Sequence, residues 1–105
     1  MITRNVETLD SLMNDKGITA HRLYDMEEGQ IIHLQLDAWC HLTPHTTPVN
    51  VVFYILEGEP TIEIGDERKP CPAGTLVESP KDIIHCIYNY TESPVRVLIM
   101  KLPRP

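Results

Sequence analysis

Gly74 to Asn89 reads GTLVESPKDIIHCIYN, and the reading of this stretch decides the fold. Its first half, TLVES, is short and β-branched, which suits a strand better than a helix. Ser79-Pro80-Lys81-Asp82 is turn chemistry: Pro presets φ, and Asp bonds nearby amides while tolerating either helical hand. The second half, IHCIYNY, alternates. His85, Ile87 and Asn89 therefore fall on one face, and Ile84, Cys86, Tyr88 and Tyr90 on the other. A histidine placed just after a tight turn, if it faces inward, sits near the mouth of a barrel.

Upstream, Val51 to Leu56 reads VVFYIL, apolar at every position, which predicts a strand buried on both faces. Val51, Phe53 and Ile55 are expected to face an interior, and Val52, Tyr54 and Leu56 to face outward. A chain of 105 residues has little left to cover that outer face, so a homodimer through the strand Val51 to Leu56 is expected.

The rest of the chain repeats the pattern. Ile18 to Met26 reads as an edge strand ended by Glu27-Glu28-Gly29. Ile31 to Ala38 alternates, with Ile32, Leu34, Leu36 and Ala38 toward a core and His33 on the wet face beside Gln35 and Asp37. His33 and the edge histidine His21 are both expected to be solvated. TIEI is a short strand between turns, and VRVLIMK closes the set by alternating Val95, Val97 and Ile99 with Arg96, Leu98 and Met100. Trp39 to Asn50, with two prolines and two histidines, predicts irregular backbone. Val6, Leu9, Leu12 and Met13 recur at helical spacing before Asn14-Asp15-Lys16-Gly17, which predicts at most one short N-terminal helix. Short strands with frequent turns and no interior helix predict an all-β sandwich or barrel, one domain over residues 1–105.

Composition removes several function classes. Nine Lys and Arg against fifteen Asp and Glu give a net charge of −6, which argues against a nucleic-acid or anionic-membrane partner. No run approaches the ~20 apolar residues that cross a bilayer, and no basic segment precedes an apolar one at the N-terminus, so a cytoplasmic location is expected. Cys40, Cys71 and Cys86 are odd in number and form no C-x-x-C pair, so buried free thiols are expected rather than disulfides or a zinc knuckle.

These residues resemble the cupin family, small jelly-roll barrels of the double-stranded β-helix type, with two motifs. The second motif runs G-x5-P-x-G-x2-H-x3-N. Gly74, Pro80, His85 and Asn89 fall on it at full spacing, with Asp82 where the family usually has Gly. The first motif runs G-x5-H-x-H-x3,4-E-x6-G. His45 and Gly58 fit it, but Trp39 stands at the leading Gly, Thr47 at the second His and Val51 at the Glu. The resemblance covers about residues 31–101 and implies fold more than function.

In metal-binding cupins the first motif's two His and Glu, with the second motif's His, hold one divalent ion. Carried over, this leaves His45 and His85 as imidazoles, fewer than the three or four protein ligands a first-row metal takes. His41, four residues before His45, completes a three-histidine set if the chain is extended through Pro44; if the chain bends there, it is a loop histidine. The implied cofactor is one divalent first-row transition metal, weakly held or absent.

Three functions follow. The first is a small-molecule-binding cupin in which His45, Thr47, His85 and Asn89 orient a polar ligand between Val51, Phe53 and Ile87. The second is a mononuclear metalloenzyme, an isomerase, decarboxylase or oxygenase, built on His45, His85 and His41. The third is a structural dimer without a ligand. No catalytic acid–base pair is assigned, because no carboxylate is placed to orient either imidazole.

Overall fold

Short alternating runs leave strands as the only regular elements longer than a turn in the computed structural model, which describes all 105 residues. In chain order these are β1 (Met13–Asp15), β2 (Ile18–Met26), β3 (Gly29–Leu36), β4 (Asn50–Glu57), β5 (Thr61–Ile64), β6 (Glu67–Pro70), β7 (Leu76–Ser79), β8 (His85–Tyr88) and β9 (Val95–Leu102). A six-stranded sheet has the order β1-β2-β3-β9-β4-β7, and a three-stranded sheet the order β6-β5-β8. Every pairing is antiparallel. The last strand lies between β3 and β4, so the chain closes on itself as the all-β jelly-roll barrel expected from the sequence.

Register stacks the inner face of the large sheet in transverse rows. Ala20, Leu34, Val97 and Ile55 form one row, Ile32, Ile99, Phe53 and Val77 the next, and Gln30, Lys101, Val51 and Ser79 the one beyond. The first two rows are apolar and make the core with Leu36, Val95, Ile62 and Ile87. Leu36 and Ile55 are wholly enclosed, and each contributes about 2 kcal/mol through burial. The third row brings polar side chains to the barrel interior and starts the functional site. Val51, Phe53 and Ile55 point inward, only 1%, 3% and 0% exposed, and Val52, Tyr54 and Leu56 point outward, half-buried.

The N-terminal segment stays within the expected bound of at most a short helix: it forms a single turn, in which the Thr8 and Leu9 amides bond the Asn5 carbonyl at 3.0 and 2.9 Å. Three local expectations are corrected. Met13 instead enters β1, because Lys16 and Gly17, at φ 46° and 84°, turn the chain back onto β2. β2 is an edge only in part, since β1 covers Ile18 to Ala20. β3 ends at Leu36, before Ala38.

His33 is not solvated but 4% exposed. The outward face is drier than its alternation implied: His21, His33, Leu98, Tyr54 and Leu76 form one transverse row there, and the Arg96 guanidinium lies across it, donating from Nε to His33 Nε2 at 3.0 Å. Burial, then the charges of Arg96 and His21, hold the His33 imidazole below its ordinary pKa. His21 is half-buried, and the Nδ1 atoms of both rings have no partner.

Candidate functional site

The site is built where β8 meets an irregular segment. Between Trp39 and Asn50 the prolines prevent a continuous strand, and the chain touches β8 at two isolated bridges, His41 with Tyr88 and His45 with His85. At the second bridge the amides of His45 and His85 donate to each other's carbonyls at 3.1 and 2.9 Å. This locks the two rings side by side, 4.7 Å apart and nearly perpendicular. The Asp82 amide donates to the Thr47 carbonyl at 2.9 Å, fixing the Pro80–Asp82 turn against the same segment. Asp82 sits at φ 64°, so Asp accepts the left-handed conformation for which the family uses Gly.

His85 is enclosed and both of its nitrogens are engaged. Ser79 Oγ lies 2.7 Å from Nδ1, and Thr47 Oγ1 lies 3.2 Å from Nε2. Two hydroxyls suit a neutral imidazole, because one ring nitrogen donates and the other accepts. Burial lowers its pKa to about 4, with the charges of His45 and Lys101 acting in the same direction. His85 is therefore uncharged at neutral pH. His45 and His41 are exposed at the rim, with Nδ1 2.9 Å from the Thr43 carbonyl and 2.7 Å from the Leu42 carbonyl. Each donates its Nδ1–H there, and Nε2 makes no hydrogen bond within the chain.

These groups open onto a cavity of about 420 Å³. Of the residues singled out from the sequence, His41, His45, Thr47, Val51, Phe53, His85 and Ile87 all line it. His41 thus stands at the rim even though its segment bends, with its ring against Tyr88. Twelve of the 18 lining residues are hydrophobic, so the polar groups are few and placed against apolar walls.

Asn89 does not line the cavity. It is wholly buried, and its Nδ2 donates toward the carbonyls of Leu36, Asp37 and Ser93 at 3.2, 3.1 and 2.8 Å. Its Oδ1 accepts from the Thr91 amide and hydroxyl at 3.0 and 2.7 Å. With all its bonding capacity used inside the chain, Asn89 ties the end of β8 to the end of β3 and does not reach a ligand.

Sequence reasoning missed the parts played by two polar residues, Ser79, which bonds His85, and Lys101, which lines the cavity. The signal for Lys101 was present: it continues the inward period of Val95, Val97 and Ile99 by one more step. Ser79 was read as turn chemistry alone, and only the register with Val51 shows that it also orients His85.

The donor set does not fit the divalent ion of the metal-binding relatives. No three His, Cys, Asp or Glu side chains converge. Thr47 occupies the Nε2 side of His85, the wall at residue 51 is a methyl-bearing group, and the ammonium-bearing Lys101 pairs with Val51 across the strands. Adjacent positive charge and a missing carboxylate both oppose a cation there.

No curated protein matches the sequence. Among solved structures, KdgF from Halomonas sp. superposes with a TM-score of 0.87 at 19% identity, covering 100% of this chain and 96% of that one. TT1209 from Thermus thermophilus is similar over 100% of both chains, at 23% identity and a TM-score of 0.86. A predicted oxalate decarboxylase from Thermotoga maritima covers 98% of this chain and 99% of its own, at 18% identity and a TM-score of 0.84. At such identities the likeness is one of fold. A cupin-domain model matches residues 35–101, which contain both motifs and the cavity's polar wall, and on that match the chain belongs to the cupin family.

Proposed function

We propose that this chain is a small-molecule-binding cupin that takes an organic ligand in its barrel without a tightly held metal ion. The observation that carries the reading is the cavity itself: about 420 Å³, mostly apolar, with His45, Thr47 and His85 gathered on one wall. A few fixed polar groups in an apolar recess orient a ligand, while the walls supply affinity. The thermal-shift response of untagged protein to a library of small organic molecules, with elemental analysis of the same sample, tests it. Stabilisation by at least one compound class with no stoichiometric metal is expected. A stoichiometric metal lost on His45→Ala or His85→Ala moves the assignment to a mononuclear metalloenzyme.

The ligand-binding unit is proposed to be a homodimer formed through the outer face of β4. Val52, Tyr54 and Leu56 face outward there, and Leu98 and Leu76 flank Tyr54 on the neighbouring strands. No strand of the chain lies over this face, since the small sheet packs on the inner one. Sedimentation at micromolar concentration is expected to show a dimer, and Tyr54→Asp to dissociate or aggregate it; a native monomer removes the proposal. The three free thiols support a reducing compartment such as the cytoplasm. No helix is long and apolar enough to cross a membrane.

A further inference from the structure

Lys101 is the side chain that the ligand-binding reading leaves without a role. It lies on β9 between Gln30 of β3 and Val51 of β4, on the inward row, and lines the cavity. The ion pairs of the chain are Arg22–Asp25, Arg68–Glu63, Arg96–Glu57 and Arg104–Asp25, and none includes it. No Asp or Glu lines the cavity, although the chain as a whole carries a charge of −6. The one charged residue nearby that also acts on it is Arg22, of the same sign. Burial, then Arg22, weighs against its ammonium form. The side chain is half-buried, and its ammonium stands in a mostly apolar recess with no ion-pair partner within the chain, the kind of group that gains from an added counter-charge.

The geometry points to an anionic ligand: we propose that the cavity binds an organic monocarboxylate with an apolar body, its carboxylate on the Lys101 ammonium and its body against Val51, Phe53 and Ile99. This deepens the ligand-binding reading above and rests on it. The neighbouring polar groups fit the same ligand. Lys101 is the one Lys or Arg that lines the cavity, which matches a ligand with a single negative charge, and the Thr47 hydroxyl lines the same cavity to hold a polar substituent. A phosphate dianion fits less well, because its second charge and its additional acceptor oxygens meet the side chains of Val51, Phe53 and Ile99 rather than donors. Where the metal-binding relatives place a carboxylate to hold a cation, this barrel places an apolar group and, across the strands, a cation.

Calorimetric titration with two apolar bodies, hexanoyl and 3-phenylpropanoyl, tests this, each as carboxylate and as uncharged amide, with the matching alkyl phosphates as a third arm. Native protein is expected to bind at least one carboxylate about 10- to 100-fold more tightly than its amide, the range for a hydrogen bond to a charged group. Lys101→Met, which keeps the length of the stem, is expected to bring the carboxylate down to the affinity of its amide, with a much smaller change in the amide itself, which loses a neutral hydrogen bond rather than an ion pair. An unfolding transition in denaturant like that of native protein shows that the variant is folded. Equal binding of carboxylate and amide to native protein overturns the anion assignment and leaves the ligand-binding reading standing. A carboxylate preference that survives Lys101→Met overturns the role of Lys101, and a stronger preference for phosphate overturns the carboxylate class. Failure of every arm on native protein overturns this assignment, and the reading beneath it falls only if the compound library also gives no stabilisation.

Discussion

Measured against the two cupin motifs, residues 74–89 match in both backbone and side chains, whereas residues 39–58 match in backbone but lose the chemistry. The bends are in place in both. Gly74 and Gly58 stand at φ 90° and 80°, Asp82 at 64°, and Trp39, where the first motif asks for glycine, at 66°. Side chains part company at Thr47 and Val51. The comparison teaches that a bend and a ligand are different kinds of demand. A left-handed residue with a bulky side chain costs about 1–2 kcal/mol, so a folded chain can carry Trp there. A coordination sphere needs particular donor atoms, and Thr and Val do not substitute for His and Glu at any strain.

The strongest way to sharpen that contrast is to restore the chemistry on the retained backbone. Thr47→His with Val51→Glu frees Nε2 of His85 from the Thr47 hydroxyl and supplies a third imidazole and a carboxylate. Zn²⁺ affinity, by calorimetry, is expected to rise by about two orders of magnitude or more over native protein. Lys101 opposes this, because as the cross-strand partner of residue 51 its ammonium pairs with the new carboxylate. Adding Lys101→Met is expected to raise affinity about another tenfold, and no further gain excludes that competition. If native protein already binds Zn²⁺ tightly and His41→Ala abolishes it, His41 is the missing ligand.

Much of the fold was legible because its determinants are local and periodic. VVFYIL and VRVLIMK place their inward residues by parity alone, and Gly74, Pro80, His85 and Asn89 mark the second motif. The site was legible to a lesser depth. His45 and Thr47 were found by motif position, Phe53 and Ile87 by strand parity, and Val51 and His85 by both. Asn89 passed the same test and still turned away, since the carbonyls of Leu36 and Asp37, more than fifty residues distant, compete for its amide. His33 was misread for a related reason: alternation identifies the outer face, but only the register that brings Arg96 beside it shows that His33 itself is enclosed there.

A buried neutral His85 gives the second segment a pH signature. Its native pKa of about 4 lies below the ordinary 6.5, so between these values the unfolded chain holds a proton that the native chain does not. Stability is therefore full above pH 6.5 and falls as pH drops toward 4, by about 3 kcal/mol at the bottom of the window. Urea midpoints at pH 7 and 4.5 measure it. His85→Gln is expected to remove most of the difference, with the smaller remainder from His33, whose pKa moves in the same direction. An unchanged slope in His85→Gln shows that His85 is not the group responsible.

The two motif glycines separate strain from space. At Gly58 an added Cβ meets Val95 Cγ1 at 2.7 Å and the Pro94 carbonyl at 3.0 Å, whereas at Gly74 nothing lies within 4 Å. Gly58→Ala is expected to destabilise by about 3 kcal/mol, from left-handed strain plus overpacking. Gly74→Ala carries the strain alone, about 1 kcal/mol. Equal losses in denaturant unfolding contradict the steric half of that account.

The smallest effect runs in the opposite direction and tests whether Trp39 is tolerated rather than used. Its indole is 62% exposed and does not line the cavity, so removing it gives up little packing. Its backbone is held at φ 66°, which glycine adopts without a Cβ clash. Glycine also makes the unfolded chain more flexible, which offsets part of the relief. Trp39→Gly is thus expected to stabilise the fold by about 0.5–1 kcal/mol. Asp82→Gly relieves the same strain at the second bend, but Asp tolerates the left-handed region better than an aromatic residue, so its gain is expected to be the smaller of the two. Chemical denaturation of both variants beside native protein reads the order directly. A loss of about 1 kcal/mol or more in Trp39→Gly shows that the indole is held by contacts that outweigh its strain, and the first segment then departs from the family bend for a reason of its own.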